Sequence, residues 1–365
     1  MRNVLVIATR QIGDVLLTTP VIEAAHELWP QARIDVLGFA GTMGMLAGNP
    51  HVNEAIGTPA KLGARGAWAL ARRIWRRYDL ALVAQPGDRA HLLGFLASRC
   101  RSGLLPEESG SNWWKRLLLD HAVTIAGDRG SVHVAVEKLA LLDPWMKSGP
   151  IVPRVVPPAP SPLPDALRAQ LQAGYVVVHA PSMWAYKQWP MPHFQQLVRG
   201  LLDAGRQVVL TGSGAARDQE CVAQLRPIAP APRLLDASAQ LDFRQLATLL
   251  QGAALYVGPD TSVSHLAAAT GVKTLAIFGP TNPQRWAPWP AKAPARDLFD
   301  RSRLQQAAGN VTLLQSDLPC VPCGRAGCED HLDSRSDCLQ AITPQRVLAQ
   351  ALALLPADEA AVAAH

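Results

Sequence analysis

Along the chain, short uninterrupted apolar runs alternate with longer stretches whose apolar positions recur every three or four residues. Val4-Leu-Val-Ile7, Ile34 to Leu37 and Tyr78 to Val83 read as buried strands, and the stretches Val15 to Leu28 and Ala67 to Arg77 as amphipathic helices. The alternation stops at Val156-Pro-Pro-Ala-Pro-Ser-Pro-Leu-Pro164, where prolines fix the backbone and remove hydrogen-bond donors. It then restarts. Strands are predicted over Tyr175 to His179, Gln207 to Thr211, Ala254 to Val257 and Thr274 to Phe278, and helices over Pro192 to Ala204, Phe243 to Gln251, Ser262 to Thr270 and Pro344 to Leu355. Strand and helix in turn, with few two-residue hairpins, predict parallel sheets covered by helices on both faces.

This pattern divides the chain into an N-terminal Rossmann-like domain over 1–156, a proline-rich linker over 157–164, a second Rossmann-like domain over 165–343, and a helix with tail over 344–365. A length of 365 residues suits two cores, and 48% hydrophobic against 18% charged residues excludes a disordered chain. The two halves share too little sequence to count as a repeat. The Ala-rich tail after Pro356 is expected to fray.

A net charge of +6 favours an acidic partner: a nucleotide, a phosphorylated glycolipid, a membrane surface or a nucleic acid. Arg72, Arg73, Arg76, Arg77, Arg99, Arg101, Lys115 and Arg116 concentrate in the first half, either as solvated helix faces or as a contact for an anionic surface. No nucleic-acid motif accompanies them. Arg10 and Asp14 interrupt any signal-peptide core, and no apolar run reaches the length of a membrane span, so a cytoplasmic protein is expected. Six cysteines are too few for a disulfide scaffold in a chain of this length.

Three constellations carry chemistry. Arg10-Gln-Ile-Gly13-Asp14 sits where the opening strand turns into a helix, which is where open α/β sheets place ligands. Asp14 is there either a helix cap or a positioned carboxylate, and Pro20 either starts the main helix or bends one begun earlier. His179-Ala-Pro-Ser182-Met-Trp-Ala-Tyr-Lys187-Gln-Trp189-Pro190 follows the first strand of the second half; Ser182 suits a phosphate oxygen, Lys187 its charge, and His179 reads as a supporting core residue. Gly258-Pro-Asp260-Thr261-Ser262-Val-Ser-His265, closing at Gly271, reads as strand, turn and helix start. More capping residues gather there than one cap needs, at a place suited to an anion. Neither a Gly-x-Gly-x-x-Gly after the first strand nor a Walker loop occurs, which argues against hydride transfer and ATP hydrolysis.

Together these residues resemble glycosyltransferase family 9, the lipopolysaccharide heptosyltransferases. The resemblance is carried by Ile12-Gly13-Asp14 through Pro20, Tyr78 to Val83 with Arg89, Val257-Gly-Pro-Asp260-Thr261 through His265, Ile277-Phe-Gly-Pro-Thr281, and Cys320-Val-Pro-Cys323 with Cys338. It implies a GT-B fold, two Rossmann-like domains whose parallel sheets face across a cleft. It further implies inverting transfer from an ADP-heptose donor, without a metal or other cofactor, to a lipid-linked core oligosaccharide at the inner membrane face. By that likeness Asp14 is the general base. Ser182, Lys187, Thr261 and Ser262 hold the diphosphate, Asp260 and His265 shape the same pocket, and Arg10, Gly13 and Arg89 lie on the acceptor side. Acceptor choice is expected from the loops Gly38 to Asn49 and Leu104 to Trp114.

Two departures stand out: Ser262 occupies a position where the family usually has glycine, and Pro181-Ser182-Met183 differs from its usual small-residue loop. A carboxylate for the nucleotide ribose is expected near Asp218 or Glu220. Cys320, Cys323, Cys328 and Cys338 are spaced as in a structural zinc site, for which the resemblance itself gives no expectation, and no metal ligand is assigned. The alternatives are another nucleotide sugar on the same fold, an epimerase of GT-B architecture, or a binding module that has lost its chemistry.

Overall fold

The computed structural model describes residues 1–106, 112–125, 127, 130–147, 149 and 151–356. The chain forms two compact α/β units, Met1–Ala159 with Ala293–Leu298, and Pro160–Lys292 with Phe299–His365. The first contains β1 (Asn3–Ala8), α1 (Ile12–Leu16), α2 (Thr19–Leu28), β2 (Arg33–Phe39), β3 (Glu54–Thr58), α3 (Ala64–Ile74), β4 (Leu80–Val83), α4 (Asp88–Ala97), β5 (Arg101–Leu105), α5 (Trp113–Leu117), β6 (His121–Thr124) and α6 (Val134–Leu139). Its six strands pair in parallel in the order β3-β2-β1-β4-β5-β6.

The second unit begins with α7 (Asp165–Arg168), β7 (Val176–His179), α8 (Met191–Asp203), β8 (Val208–Thr211), α9 (Ala216–Ala223), β9 (Leu234–Asp236), α10 (Phe243–Gly252), β10 (Leu255–Pro259) and α11 (Ser262–Thr270). It continues with β11 (Thr274–Ile277), α12 (Pro283–Trp286), β12 (Gln305–Ala308), β13 (Val311–Leu314), α13 (Asp337–Ala341) and α14 (Pro344–Leu354). The sheet order is β9-β8-β7-β10-β11-β13-β12. Each unit is therefore wound outward from its first strand in the same sense, a repetition of topology that the two sequences do not display. One edge departs from the all-parallel expectation. β12 and β13 pair antiparallel, because the connection Gly309-Asn310, with Gly309 at φ +55°, is far too short for a parallel crossover.

The apolar runs fill the cores as their pattern predicts. Leu5, Ile7, Ala81 and Val83 of the first sheet pack with Leu70 and Ile74 of α3. In the second unit Val176, Val178, Val257, Leu275 and Ile277 pack with Trp189, Phe194 and Leu197, and α14 contributes Val347 and Ala351 to this same core.

Several boundaries differ from the sequence pattern for identifiable reasons. The helix expected over Val15 to Leu28 is two helices, because Pro20 has no N–H to give and its ring clashes with a carbonyl one turn back. The Thr19 hydroxyl instead donates to Leu16 O at 2.7 Å, and Pro20 sits in the first turn of α2. Helix α3 ends three residues early, since Arg76 adopts φ +51° and its N–H leaves the helix to bond Leu96 O at 2.9 Å. The segment around 157–164 is fixed along its length. Ala159 N–H donates to Ala47 O at 2.9 Å in the first unit, and Ser161 N–H donates to Thr248 Oγ1 at 3.1 Å in the second. The tail after Pro356 and residues 107–111 of the loop Leu104 to Trp114 lie outside the described residues.

Candidate active site

In the second unit β7 and β10 are neighbours, and the chain leaves them toward opposite edges of the sheet. Loops beyond the carboxyl ends of two such strands diverge and leave space for a ligand. The Ser182 and Lys187 loop follows β7, and Asp260, Thr261 and Ser262 follow β10, so this winding brings together two segments more than 70 residues apart in sequence. Lys187 Nζ donates to Asp260 Oδ2 at 2.6 Å. Burial of Asp260 opposes its ionisation, but the charges of Lys187 and His265 and hydrogen bonds from Lys187 and Thr281 outweigh it and hold its carboxyl below the usual range.

The start of α11 gathers groups that could hold an anion. Thr261 is its N-cap, extended at φ −140° and ψ 170°, yet no side chain caps the helix. The Thr261 hydroxyl is buried and makes no hydrogen bond of normal geometry, although the Tyr256 phenol lies close by. The Ser182 hydroxyl is likewise buried without a partner. A buried unpaired hydroxyl costs about 1–3 kcal/mol, which a phosphate oxygen accepting from it would offset. The first N–H groups of a helix have no partner within the helix, and its dipole favours negative charge there. Ser262 is the first residue of α11 and half-buried; His265 lies one turn in, buried. Gly271 ends the helix at φ +89°, a conformation that favours glycine.

Gln188 and Thr281 also belong to this site; both fell within motifs read from the sequence, which gave neither a role. Gln188 Oε1 accepts from Ser182 N–H at 3.0 Å, while its amide donates to Ala180 O and Trp189 O, both at 2.9 Å, which fixes the loop. Alternation of Gln188 with the fully buried Trp189 was the available signal. His179 is a supporting residue, bonded through Nδ1 to Thr211 Oγ1 at 3.0 Å. Burial pushes it down to about 4 against the opposing charge of Asp218, so it is neutral. Asp218, half-buried, caps its own loop by accepting from Ser213 N–H at 2.8 Å, and Glu220 is exposed.

In the first unit β1 is flanked by β2 and β4, the equivalent branching point, and Asp14 follows it in α1. No side chain caps α1, whose N-cap is Gln11, so the Asp14 carboxylate is not used as a cap. Lys138, from α6, reaches the same turn: its Nζ donates to Asp14 O at 2.8 Å and Thr18 Oγ1 at 2.9 Å, and stands 3.9 Å from Asp14 Oδ1. Nothing in the sequence pattern paired these two residues, although a lysine among Val134, Val136 and Leu139 was itself a signal. Gly13 lies inside α1 in ordinary helical backbone, and Arg10 is exposed. Arg89 is held by the chain after β3, donating to Ala60 O at 2.8 Å and Thr58 Oγ1 at 3.1 Å.

The profile of glycosyltransferase family 9 (heptosyltransferase) matches residues 67–307. The chain belongs to glycosyltransferase family 9. It is 27% identical over 315 residues to lipopolysaccharide heptosyltransferase 3 of Escherichia coli, covering 80% of this chain and 91% of that one. To lipopolysaccharide heptosyltransferase 1 of Pseudomonas aeruginosa it is 28% identical over 392 residues, covering 98% and 99%. Among solved structures, E. coli ADP-heptose lps heptosyltransferase II superposes with a TM-score of 0.70 at 21% identity, covering 97% of this chain and 98% of that one. An E. coli heptosyltransferase solved with ADP gives 0.67 at 18%, covering 96% and 99%. The fold is GT-B, and this family 9 member is a glycosyltransferase, which sets aside the epimerase and the binding module.

Among the described residues no group of three or more His, Cys, Asp or Glu side chains is placed to hold a metal ion. Cys320, Cys323 and Cys328 are exposed free thiols. Cys338 is buried, and burial together with the other three thiols pushes it up to about 12. No helix among the described residues is long and apolar enough to cross a membrane.

Proposed function

We propose that this chain transfers a heptose from ADP-L-glycero-D-manno-heptose to the inner-core oligosaccharide of lipopolysaccharide, with inversion. The observation that carries the donor side is the start of α11, where the Lys187–Asp260 pair lies beside the buried, unpaired hydroxyl of Ser182 and the buried hydroxyl of Thr261. Those hydroxyls, Ser262 and the helix N–H groups would bind the diphosphate of ADP, with Lys187 shared between it and Asp260, and His265 supporting the carboxylate. Fixed dipoles and a lysine stabilise a departing ADP without a divalent ion or other cofactor. The heptose is supported by the names of the relatives, and by an E. coli heptosyltransferase solved with ADP-2-deoxy-2-fluoro heptose.

Asp14 is the proposed general base. It takes the proton of the acceptor hydroxyl as that oxygen attacks the anomeric carbon and the bond to ADP breaks. Arg10, Gly13 and Arg89 belong to the acceptor side in this reading, and the enzyme works in the cytoplasm in peripheral contact with the inner membrane face. Purified protein, ADP-heptose and a heptose-free lipid-linked acceptor provide the test. Asp14→Ala is expected to abolish transfer while leaving ADP affinity nearly unchanged. Wild-type turnover in that variant removes the base, and consumption of another sugar nucleotide but not ADP-heptose removes the donor.

A further inference from the structure

Helix α3 has one face in the core and an opposite face that no described residue of its own unit covers. Leu70 and Ile74 are buried against β1 and β4 residues. At about 100° per residue, Arg65, Trp68, Arg72 and Trp75 fall within roughly 80° of one another, about 160° from the buried stripe. Trp68 is 65% exposed and Trp75 55% exposed. Large aromatic side chains contribute most to cores and interfaces by being buried, so two tryptophans left in water on one face mark a surface made for contact.

The charges around them are of one sign. Lys61, Arg65, Arg72, Arg73, Arg76 and Arg77 surround the stripe, and no acidic residue lies between Glu54 and Asp79. Arg73 is neutralised by Glu54 at 2.5 Å, and Arg76 bonds Ser98 O at 2.6 Å. Among the described residues no carboxylate pairs with Lys61, Arg65 or Arg72. The Arg72 guanidinium sits over the Trp68 ring at 5.5 Å and that of Arg76 over Trp75 at 5.5 Å, so cation and ring are presented together.

We infer that α3 is the membrane-docking element of this enzyme, lying on an anionic lipid bilayer with Trp68 and Trp75 at headgroup depth and Lys61, Arg65 and Arg72 against lipid phosphates. A basic helix carrying tryptophan on its outward face is the composition that binds in the plane of a charged interface. A convex, solvent-facing helix meets a flat bilayer, whereas a single nucleic-acid strand is bound in a groove with stacking platforms. The inference deepens the proposed function, which needs a lipid-linked acceptor, but it stands on the helix alone.

The test is co-sedimentation of the full chain with vesicles of phosphatidylcholine containing roughly 30 mol% phosphatidylglycerol, against phosphatidylcholine alone. Binding to the anionic vesicles only, weakened by salt, is expected. Trp68→Ser with Trp75→Ser, and separately Arg65→Gln with Arg72→Gln, should each reduce partitioning by about ten-fold or more. All four side chains point away from the core, so the variants should keep the native circular dichroism. Their transfer of sugar to a water-soluble acceptor analogue should match wild type, while transfer to acceptor embedded in vesicles falls.

Equal vesicle binding by wild type and both variants would overturn the inference, as would retention of DNA or RNA in a shift assay that the same variants abolish. Failure of ADP-heptose as donor while α3-dependent vesicle binding persists would sink the proposed function and leave this inference intact.

Discussion

Replacement of Lys138 by methionine is expected to leave the protein at least as stable near neutral pH while impairing catalysis. Lys138 is 2% exposed, and burial brings its ammonium down to about 8, with the Asp14 charge opposing that shift and Arg10 adding to it. Relative to an ordinary lysine near 10.5, keeping this group charged costs the folded state on the order of 3 kcal/mol below pH 8. The sign follows from proton counting. Between about pH 8 and 10 the unfolded chain binds more protons at this lysine than the folded one does, so this part of the stability rises with pH.

Methionine has similar length and no charge, so it removes that cost. It also removes two hydrogen bonds, but Asp14 O still accepts from the Thr18 hydroxyl at 2.7 Å, which limits the loss to roughly 1–2 kcal/mol. At pH 7 the variant should be more stable by about 1–2 kcal/mol, and between pH 7 and 9.5 that advantage should shrink by about 2 kcal/mol. Urea denaturation of both proteins at the two pH values measures it. Meanwhile kcat should fall by about ten-fold or more, because the turn carrying Asp14 loses the group that fixes it. A variant several kcal/mol less stable at both pH values would refute the reasoning.

Four further outcomes follow from the second unit. Lys187→Ala strands a buried carboxylate, so it should cost about 3–5 kcal/mol in denaturant titration and weaken ADP binding in calorimetry; Asp260→Asn, which removes the charge instead, should cost less. In the parent protein the lowered Asp260 carboxyl contributes stability that is present above its unfolded value and lost as pH falls through the folded one, so Asp260→Asn should flatten that part of the acid limb. His179 is neutral in the fold down to about pH 4, whereas the unfolded chain protonates it near 6.5, so acidification between those values should cost on the order of 3 kcal/mol and His179→Gln should reduce that loss. Gly258→Ala places a methyl group 2.3 Å from the Tyr256 phenol oxygen and 3.1 Å from His179 O, and should lower stability by about 1–3 kcal/mol in thermal unfolding.

Much of this protein was legible in its pattern of residues. The central strands Val4 to Ile7, Tyr175 to His179 and Ala254 to Val257 were readable because both faces of a parallel sheet are buried and their apolar runs are unbroken. Helix α11 was readable to the residue, since Thr261 and Gly271 mark its two ends. Strands β3, β5, β6, β9, β12 and β13 were not predicted; in the edge strands β3, β6 and β12, Glu54, His121 and Gln305 dilute short runs that are only partly buried. Asp14, Lys187 and Asp260 stood out because each follows the end of a predicted strand.

Local sequence determined which segments become strands and helices, and which polar residues stand at strand ends, because those preferences act over a few residues. What it could not determine is which distant segments meet. The pairing of Lys187 with Asp260 depends on β7 and β10 being neighbours, and the reach of Lys138 to the Asp14 turn depends on α6 packing beside α2. Both are set by how sheets and helices bury their apolar faces together, a sum over the whole unit that no single stretch of residues contains.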